Sequence, residues 1–447
     1  MKTTREISTD ILHSVLEDGG YANLILNRSL SGMENRRDRA FVTNLVYGTL
    51  HRLTPIDYQL TSFLQKPVRS KDAYLKTILR AGFYEILYTS VKSHAVVNEY
   101  VNLGKKKGNP GWGKMINGIL RNLLRKKEEL NWPSFADVAE KTAFFASVPF
   151  WLVDFWKKER GSDTAEKLIR SIDEERYPVL RVNTLKTDRD SLKEKLEEYG
   201  IDTTDGNLSV DALRTTKGAD LRLVPSELRG SFTVQEESSQ LVAKVLGPQR
   251  GETVLDMCAA PGGKTTHLAQ EMENRGVIYA SDLHPHKIEL IRENASLLGI
   301  DIIRAEQKDG THWGKEYPCF FDAVLLDAPC SGLGVLNRRS DSRLRKNGED
   351  ISALAAIHRE LLISAYNALK PGGRLVYSTC TLSHEENRNQ REWFLNAFPD
   401  MKPQAFDGKL SGLTEEEKKE ASAGALELLP YVHETDGFFI ACFKKDR

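Results

Sequence analysis

Val254-Leu255-Asp256-Met257-Cys258-Ala259-Ala260-Pro261-Gly262-Gly263-Lys264-Thr265-Thr266 is the stretch that decides the fold, because it reads as a strand, a tight glycine turn and the start of a helix. Apolar residues with an Asp among them suit a parallel strand buried on both faces, and Pro261, Gly262 and Gly263 let the backbone turn sharply. The helix opening near Lys264 then presents its free N–H groups to whatever sits in the turn.

Two phosphate-binding motifs share parts of this run, and neither fits. A Walker A loop needs a glycine five residues before its Gly-Lys pair, where this chain has Cys258. A dinucleotide fingerprint needs G-x-G-x-x-G, and the turn runs Ala-Ala-Pro-Gly-Gly-Lys. What remains is an acidic strand end at Asp256 and a glycine turn with no full phosphate cradle. That suits a ligand with a ribose and a charged amino-acid tail, such as S-adenosylmethionine. A plain connection from strand to helix uses the same residues, so the assignment leans on the strands further along the chain.

Downstream the chain alternates strand and helix: strand 277–281, helix 285–298, a strand near Ile302, strand 321–327, helix 351–369 and strand 374–379. This pattern predicts a doubly wound parallel sheet with helices on both faces, whose ligands sit beyond the carboxyl ends of the strands. Asp282 ends the second strand twenty positions after Gly262, where a carboxylate gripping ribose hydroxyls belongs. Asp309 follows the third strand, placed to accept from an adenine amino group, and Asp327 ends the fourth. A lone strand-end Asp is usually a turn former; three in succession after a glycine turn point to a cofactor.

The fourth strand runs into Asp327-Ala328-Pro329-Cys330-Ser331-Gly332 and the fifth into Ser378-Thr379-Cys380-Thr381, so each sets a cysteine on the cofactor's edge of the sheet. A single Cys is most often a small buried hydrophobe. Two beside a carboxylate fit a specific problem. Carbon 5 of cytosine is a poor nucleophile; a thiolate adding to carbon 6 turns the ring into an enamine that attacks a sulfonium methyl, with a carboxyl group bonding N3. The carbon-5 proton then leaves to a base and the thiolate is expelled. The residues alone do not say which cysteine attacks.

The remainder of the 447 residues fits about three domains in all, at roughly 150 residues each. Sixty-three basic and 63 acidic residues cancel, so charge distribution rather than net charge carries information. Five cysteines without a C-x-x-C pair argue against a disulfide framework and a zinc site, which predicts a reducing cytoplasm and no metal. No apolar run approaches a membrane span, and no membrane partner is expected. Residues 1–140 read as a helical bundle; the clearest stripe is Met115, Ile116, Ile119, Leu120, Leu123 and Leu124. From Lys105 to Lys127 there are eight basic residues and no acidic one. Lys105, Lys106, Lys107, Lys114, Arg121 and Arg125 are therefore expected to meet nucleic-acid phosphates, against the plainer alternative of a solvated face. Residues 141–250 read as a small α+β connector with an aromatic helix at 150–156, a strand at 179–183 and a helix at 188–199. Residues 251–447 hold the sheet. The loop 337–350 carries Arg338, Arg339, Arg343, Arg345 and Lys346, which either touch nucleic-acid phosphates or are solvated.

Asp256-Met-Cys-Ala-Ala-Pro-Gly-Gly-Lys-Thr, Asp327-Ala-Pro-Cys330-Ser-Gly and Ser-Thr-Cys380-Thr-Leu-Ser-His-Glu385-Glu386-Asn387 together resemble the RNA cytosine-5 methyltransferases. Asp436-Gly437-Phe438-Phe439-Ile440-Ala441 is similar to that family's final hairpin strand, and the helical module resembles the NusB-type RNA-binding fold, which points to the Sun/Fmu subgroup. The resemblance implies a monomer that methylates one hairpin-loop cytosine of 16S ribosomal RNA, with S-adenosylmethionine held by Cys258, Ala259, Ala260, Pro261, Gly262, Gly263, Lys264, Asp282, Asp309 and Asp327. It further implies that Cys380 is the nucleophile, that Cys330 assists product release and that Asp327 recognises the base. Transfer RNA as substrate, or an RNA-binding factor with a decayed methyltransferase domain, are the rival readings; intact Cys330 and Cys380 count against the second.

Overall fold

The computed structural model describes residues 2–338 and 340–447. Residues up to Glu174, together with Leu336–Lys346, form one compact unit, and Glu175–Val335 with Asn347–Arg447 form a second.

The first unit is helical: α1 (Thr4–Leu16), α2 (Ala22–Leu30), α3 (Arg36–His51), α4 (Leu53–Phe63), α5 (Ala73–Tyr88), α6 (Ser93–Lys107), α7 (Pro110–Lys126), α8 (Val138–Phe145), α9 (Phe150–Arg160) and α10 (Ser162–Ile172). Thr3, Asn35, Asn109 and Asp137 cap the first turns of α1, α3, α7 and α8 by accepting backbone N–H bonds. The stripe of α7 buries Ile116, Ile119, Leu120 and Leu123 against Leu12, Ile78, Leu79 and Phe83. Met115 is 37% exposed, because it lies about a quarter turn from the centre of that stripe. In α9 the aromatic stretch divides: Trp156, Leu152 and Val153 are buried, and Phe150 is exposed.

The loop 337–350 departs from both readings of its arginines. Arg343 is 1% exposed and donates to the carbonyls of Leu336, Ala146 and Ile172; Arg345 donates to those of Val15, Gly19 and Gly20. Ala146 follows α8, Ile172 ends α10, and Val15, Gly19 and Gly20 lie at and beyond the end of α1. Helix ends leave carbonyls without intrahelical donors, and guanidinium forks supply them. Neither arginine is thus presented to a phosphate. Asp341 likewise accepts from the N–H of Ala22, the first residue of α2. Arg338 is exposed, whereas Arg339 lies outside the described residues.

The second unit holds two sheets. The smaller has strands β1 (Val179–Val182), β2 (Thr203–Asp205), β3 (Ala212–Thr215) and β4 (Phe232–Val234) in the antiparallel order β2-β3-β1-β4, with α11 (Arg189–Glu198) packed over it through Leu192 and Leu196, and α12 (Glu237–Leu246) leads on to the larger sheet. The larger contains β5 (Thr253–Asp256), β6 (Val277–Asp282), β7 (Ile303–Gln307), β8 (Phe321–Asp327), β9 (Leu369–Thr379), β10 (Met401–Pro403), β11 (Ala425–Leu428) and β12 (Phe438–Lys445). Its order is β10-β12-β9-β8-β5-β6-β7, with β11 also on β12. The five strands β5 to β9 are parallel, as expected, but β12 joins β9 antiparallel, so the sheet is mixed. Apolar side chains bury both faces, Val254, Leu325 and Val376 on one and Leu255, Val324 and Leu375 on the other, which is why these strands read as unbroken apolar runs. From β5 the chain goes outward to β6 and β7, then returns to β8 on the other side. The crevice at the carboxyl ends of β5 and β8 is the switch point where such sheets bind ligands. Among the described residues no helix is long and apolar enough to cross a membrane.

Candidate active site

Asp256 ends β5 with no exposed surface, and its Oδ2 accepts from Thr265 Oγ1 at 2.7 Å. Burial pushes this carboxyl up to about 7, and it pushes the Cys258 thiol up as well. After Cys258 the chain passes Ala259, the cis Ala260–Pro261 bond and Gly262, whose φ of +100° is left-handed. A Cβ there would be strained and would stand 3.2 Å from the Ile291 backbone of α14 (Pro285–Leu298), with α13 (Gly263–Glu271) starting at once. Arg181 of β1, fully buried, donates to the Gly263 carbonyl at 2.5 Å and to Thr266 Oγ1 at 3.0 Å, so the small sheet props the turn from behind.

Asp282, at the end of β6, accepts from the His284 N–H at 3.1 Å and lies 3.3 Å from Lys287 Nζ. The Oδ1 of Asp309 accepts from the N–H and hydroxyl of Thr311, bonds that hold this carboxyl below its ordinary range and cap the turn Gly310–His312. These carboxylates and the glycine turn fit a ribose-bearing cofactor: Asp282 and Asp309 stand at and just beyond strand ends, and Gly262 bears no side chain where the backbone turns.

Lys264, on the first turn of α13, reaches across the crevice to Asp327, Nζ to Oδ2 2.7 Å, while Ser378 Oγ donates to Asp327 Oδ1 at 2.8 Å. Beyond them Cys330 Sγ and Cys380 Sγ are 3.3 Å apart. Residues that sequence reasoning passed over bring the two sulfurs together. Glu386, fully buried, accepts from the Ser331 N–H at 2.8 Å and hydroxyl at 2.5 Å. The Ser331 hydroxyl also meets Thr381 Oγ1 at 2.6 Å. Asn387 accepts from Thr379 and donates to the Thr381 carbonyl. The residues flanking each cysteine are thereby pinned. The Gly334 N–H donates to the Cys380 carbonyl at 3.0 Å, and a Cβ on Gly334 would collide with Gly437. The only sequence signal for this network was the Glu385-Glu386-Asn387 run, which carried the family resemblance but no assigned role.

The basic run divides. Lys106 Nζ bonds Glu6 at 2.6 Å and Lys107 Nζ bonds Asp10 at 2.7 Å, so acids from α1 supply the partners missing from residues 105–127. The pairing holds both carboxyls below their ordinary range against the effect of burial. Lys105, Lys114, Arg121 and Arg125 are exposed. Lys114 lines a cavity of about 840 Å³ with Lys66, Arg69 and Trp112. In the second unit Asp211, His267 and Glu271 cluster within 4.8 Å, but Lys244 Nζ stands 2.8 Å from Asp211 and 2.7 Å from Glu271 and supplies the cation there itself.

Three family models match the chain: the NusB family over residues 2–125, a ferredoxin-like domain of RsmF/B-like methyltransferases over 148–222, and 16S rRNA methyltransferase RsmB/F over 243–444. The probable ribosomal RNA small subunit methyltransferase B of Bacillus subtilis is 37% identical over 453 residues, covering 100% of both chains. Ribosomal RNA small subunit methyltransferase B of Shewanella oneidensis is 30% identical, covering 98% of each. Among solved structures, PH0851 superposes with a TM-score of 0.84 at 27% identity over 100% of this chain and 99% of the other. NSun6 from Pyrococcus horikoshii with SFG gives 0.58 at 25% identity over 67% of this chain and 98% of that one. With an end-to-end relative at that identity, and a NusB-family module ahead of the methyltransferase domain, the chain belongs to the 16S rRNA methyltransferase RsmB/F family.

Proposed function

We propose that the protein methylates carbon 5 of a cytosine in 16S ribosomal RNA through a covalent cysteine–cytosine adduct, with Cys380 as nucleophile and Cys330 as the group that assists release. The observation that carries this reading is the 3.3 Å separation of the two sulfurs beside Asp327 at adjacent strand ends. The contact with Cys380 and burial together push the Cys330 thiol well above its ordinary value, so Cys330 keeps its proton. A protonated thiol at Cys330 suits proton handling there, and the family resemblance gives attack to Cys380 beside it.

S-adenosylmethionine, bound at the switch point, supplies the electrophilic methyl group. Cys258, Ala259, Ala260, Pro261, Gly262, Gly263 and Lys264 would line its place, Asp282 the ribose hydroxyls and Asp309 the adenine side. Asp327 bonds the base at N3 with its carboxyl kept in place by Lys264 and Ser378. Lys105, Lys114, Arg121, Arg125 and Arg338 contribute phosphate contacts, and the working form is a cytoplasmic monomer without metal. Residues 1–140, 141–250 and 251–447 are read as RNA-binding, connecting and catalytic parts. Incubating the purified protein with methyl-labelled cofactor and 16S rRNA, then digesting to nucleosides, tests this: the label should appear in 5-methylcytidine. Label in any other nucleoside, or label taken up only when transfer RNA replaces the 16S rRNA, rejects it.

A further inference from the structure

His358 has no part in the chemistry above, yet it is fully buried behind both cysteine loops, on the helix Glu349–Ala368. Its Nε2 lies 2.7 Å from the carbonyl oxygen of Pro329, the residue before Cys330. A carbonyl only accepts, so Nε2 carries the proton and donates. Its Nδ1, then an acceptor, lies 2.8 Å from Tyr377 Oη, whose one proton is placed to serve either Nδ1 or the carbonyl of Glu386. The Glu386 carboxylate in turn holds Ser331, the residue after Cys330. The bonds run from one neighbour of Cys330, through His358 and Tyr377, to the residue that grips its other neighbour. Pro329 is itself exposed, and its bond to His358 ties that corner of the loop to the helix behind it, next to the bond from the Ala328 N–H to the Ser378 carbonyl. The Cys380 loop does not depend on this bond: β9 is paired on both sides, and Asn387 braces Thr379 and Thr381.

We propose that His358 is a positioning residue for the step performed by Cys330, holding that thiol where it meets the adduct while leaving attack by Cys380 to its own supports. The inference rests on the two-thiol reading of the site. Loss of the Pro329 bond frees one side of the Cys330 loop only. An ångström of misplacement costs a catalytic step about a hundredfold, so the expected effect is a selective slowing of release.

The test follows adduct formation and decay in single turnovers with RNA and S-adenosylmethionine, resolved by denaturing electrophoresis, for the wild type, Cys330→Ala, His358→Ala and His358→Gln. His358→Ala should form the adduct within about threefold of the wild-type rate and release it roughly tenfold or more slowly. Cofactor affinity should be unchanged. His358→Gln, whose amide both donates and accepts, should restore release. Should His358→Ala fail to fold, His358→Asn, polar but too short to span both partners, replaces it with the same expectation. Attack and release falling together, or a failure of His358→Gln to rescue, assigns His358 a merely structural role and overturns the inference. An adduct trapped by Cys330→Ala alongside wild-type release in His358→Ala also overturns it. No adduct even from Cys330→Ala rejects the two-thiol reading first, and this inference with it.

Discussion

Replacing Asp256 with Asn should remove the pH dependence that this one carboxyl imposes on the stability of the catalytic unit. The residue is fully buried; Thr265 donates to one oxygen and, among the described residues, no donor meets the other. Burial is the largest influence on it and raises it from 3.8 to about 7, Asp327 adding to the rise and Lys264 opposing it. A carboxyl raised on folding binds its proton more tightly in the folded state. Its contribution to stability is therefore fully present below about 3.8 and is lost as pH rises through about 7. The whole interval is worth about 4 kcal/mol, of which about 3 kcal/mol falls between pH 5 and pH 8. Asp256→Asn keeps the shape and the acceptor for Thr265 but does not titrate. Urea unfolding of both proteins at a series of pH values gives the difference in stability, in which all other titrating groups cancel. That difference should move in favour of Asn by about 3 kcal/mol from pH 5 to pH 8. A difference that stays level across the range means that Asp256 is not the raised carboxyl described.

Asp282→Ala should weaken S-adenosylmethionine binding about tenfold or more in calorimetry, since charge-assisted bonds to ribose hydroxyls are worth about 1.5 to 3 kcal/mol each; unchanged affinity removes the residue from the site. Arg181→Met takes the prop from the Gly263 carbonyl and should raise the KM for cofactor about tenfold, with kcat on saturating cofactor held within about threefold. A fall in kcat alone contradicts that role. Exchanging Lys105, Lys114, Arg121 and Arg125 together for Gln should reduce the salt slope of RNA binding by about 3, whereas Lys106 and Lys107, bound to Glu6 and Asp10, should contribute less. A slope equal to the wild type places the RNA footprint elsewhere.

Parts of the molecule with local causes were legible in the sequence. β8 and α14 fall at their expected bounds, because an apolar run ending in Asp and a Pro-to-Gly helical segment carry their own start and stop signals. The strand-end placement of Asp282, Asp327, Cys330 and Cys380 followed from the alternation of strand and helix. What stayed hidden depends on partners far along the chain. Arg343 and Arg345 looked like a solvated or RNA-facing pair, but the helix-end carbonyls that bind them lie up to 330 positions away. Lys106 and Lys107 seemed unopposed because their acids are about a hundred residues earlier. Glu386 entered only as part of the family motif and His358 carried no signal of its own; only the packing of two strand ends against one buried carboxylate shows what they hold.

The proposed mechanism stands on the two thiols doing different work, and trapping the covalent complex separates them. Cys330→Ala and Cys380→Ala are each incubated with 16S rRNA and S-adenosylmethionine and resolved by denaturing electrophoresis, with intact-mass analysis of any shifted band. A protein–RNA adduct is expected with Cys330→Ala, through Cys380, and none with Cys380→Ala or with the double variant. An adduct from Cys380→Ala and none from Cys330→Ala would mean that the roles are reversed, and full activity without an adduct in both would contradict the thiol mechanism itself.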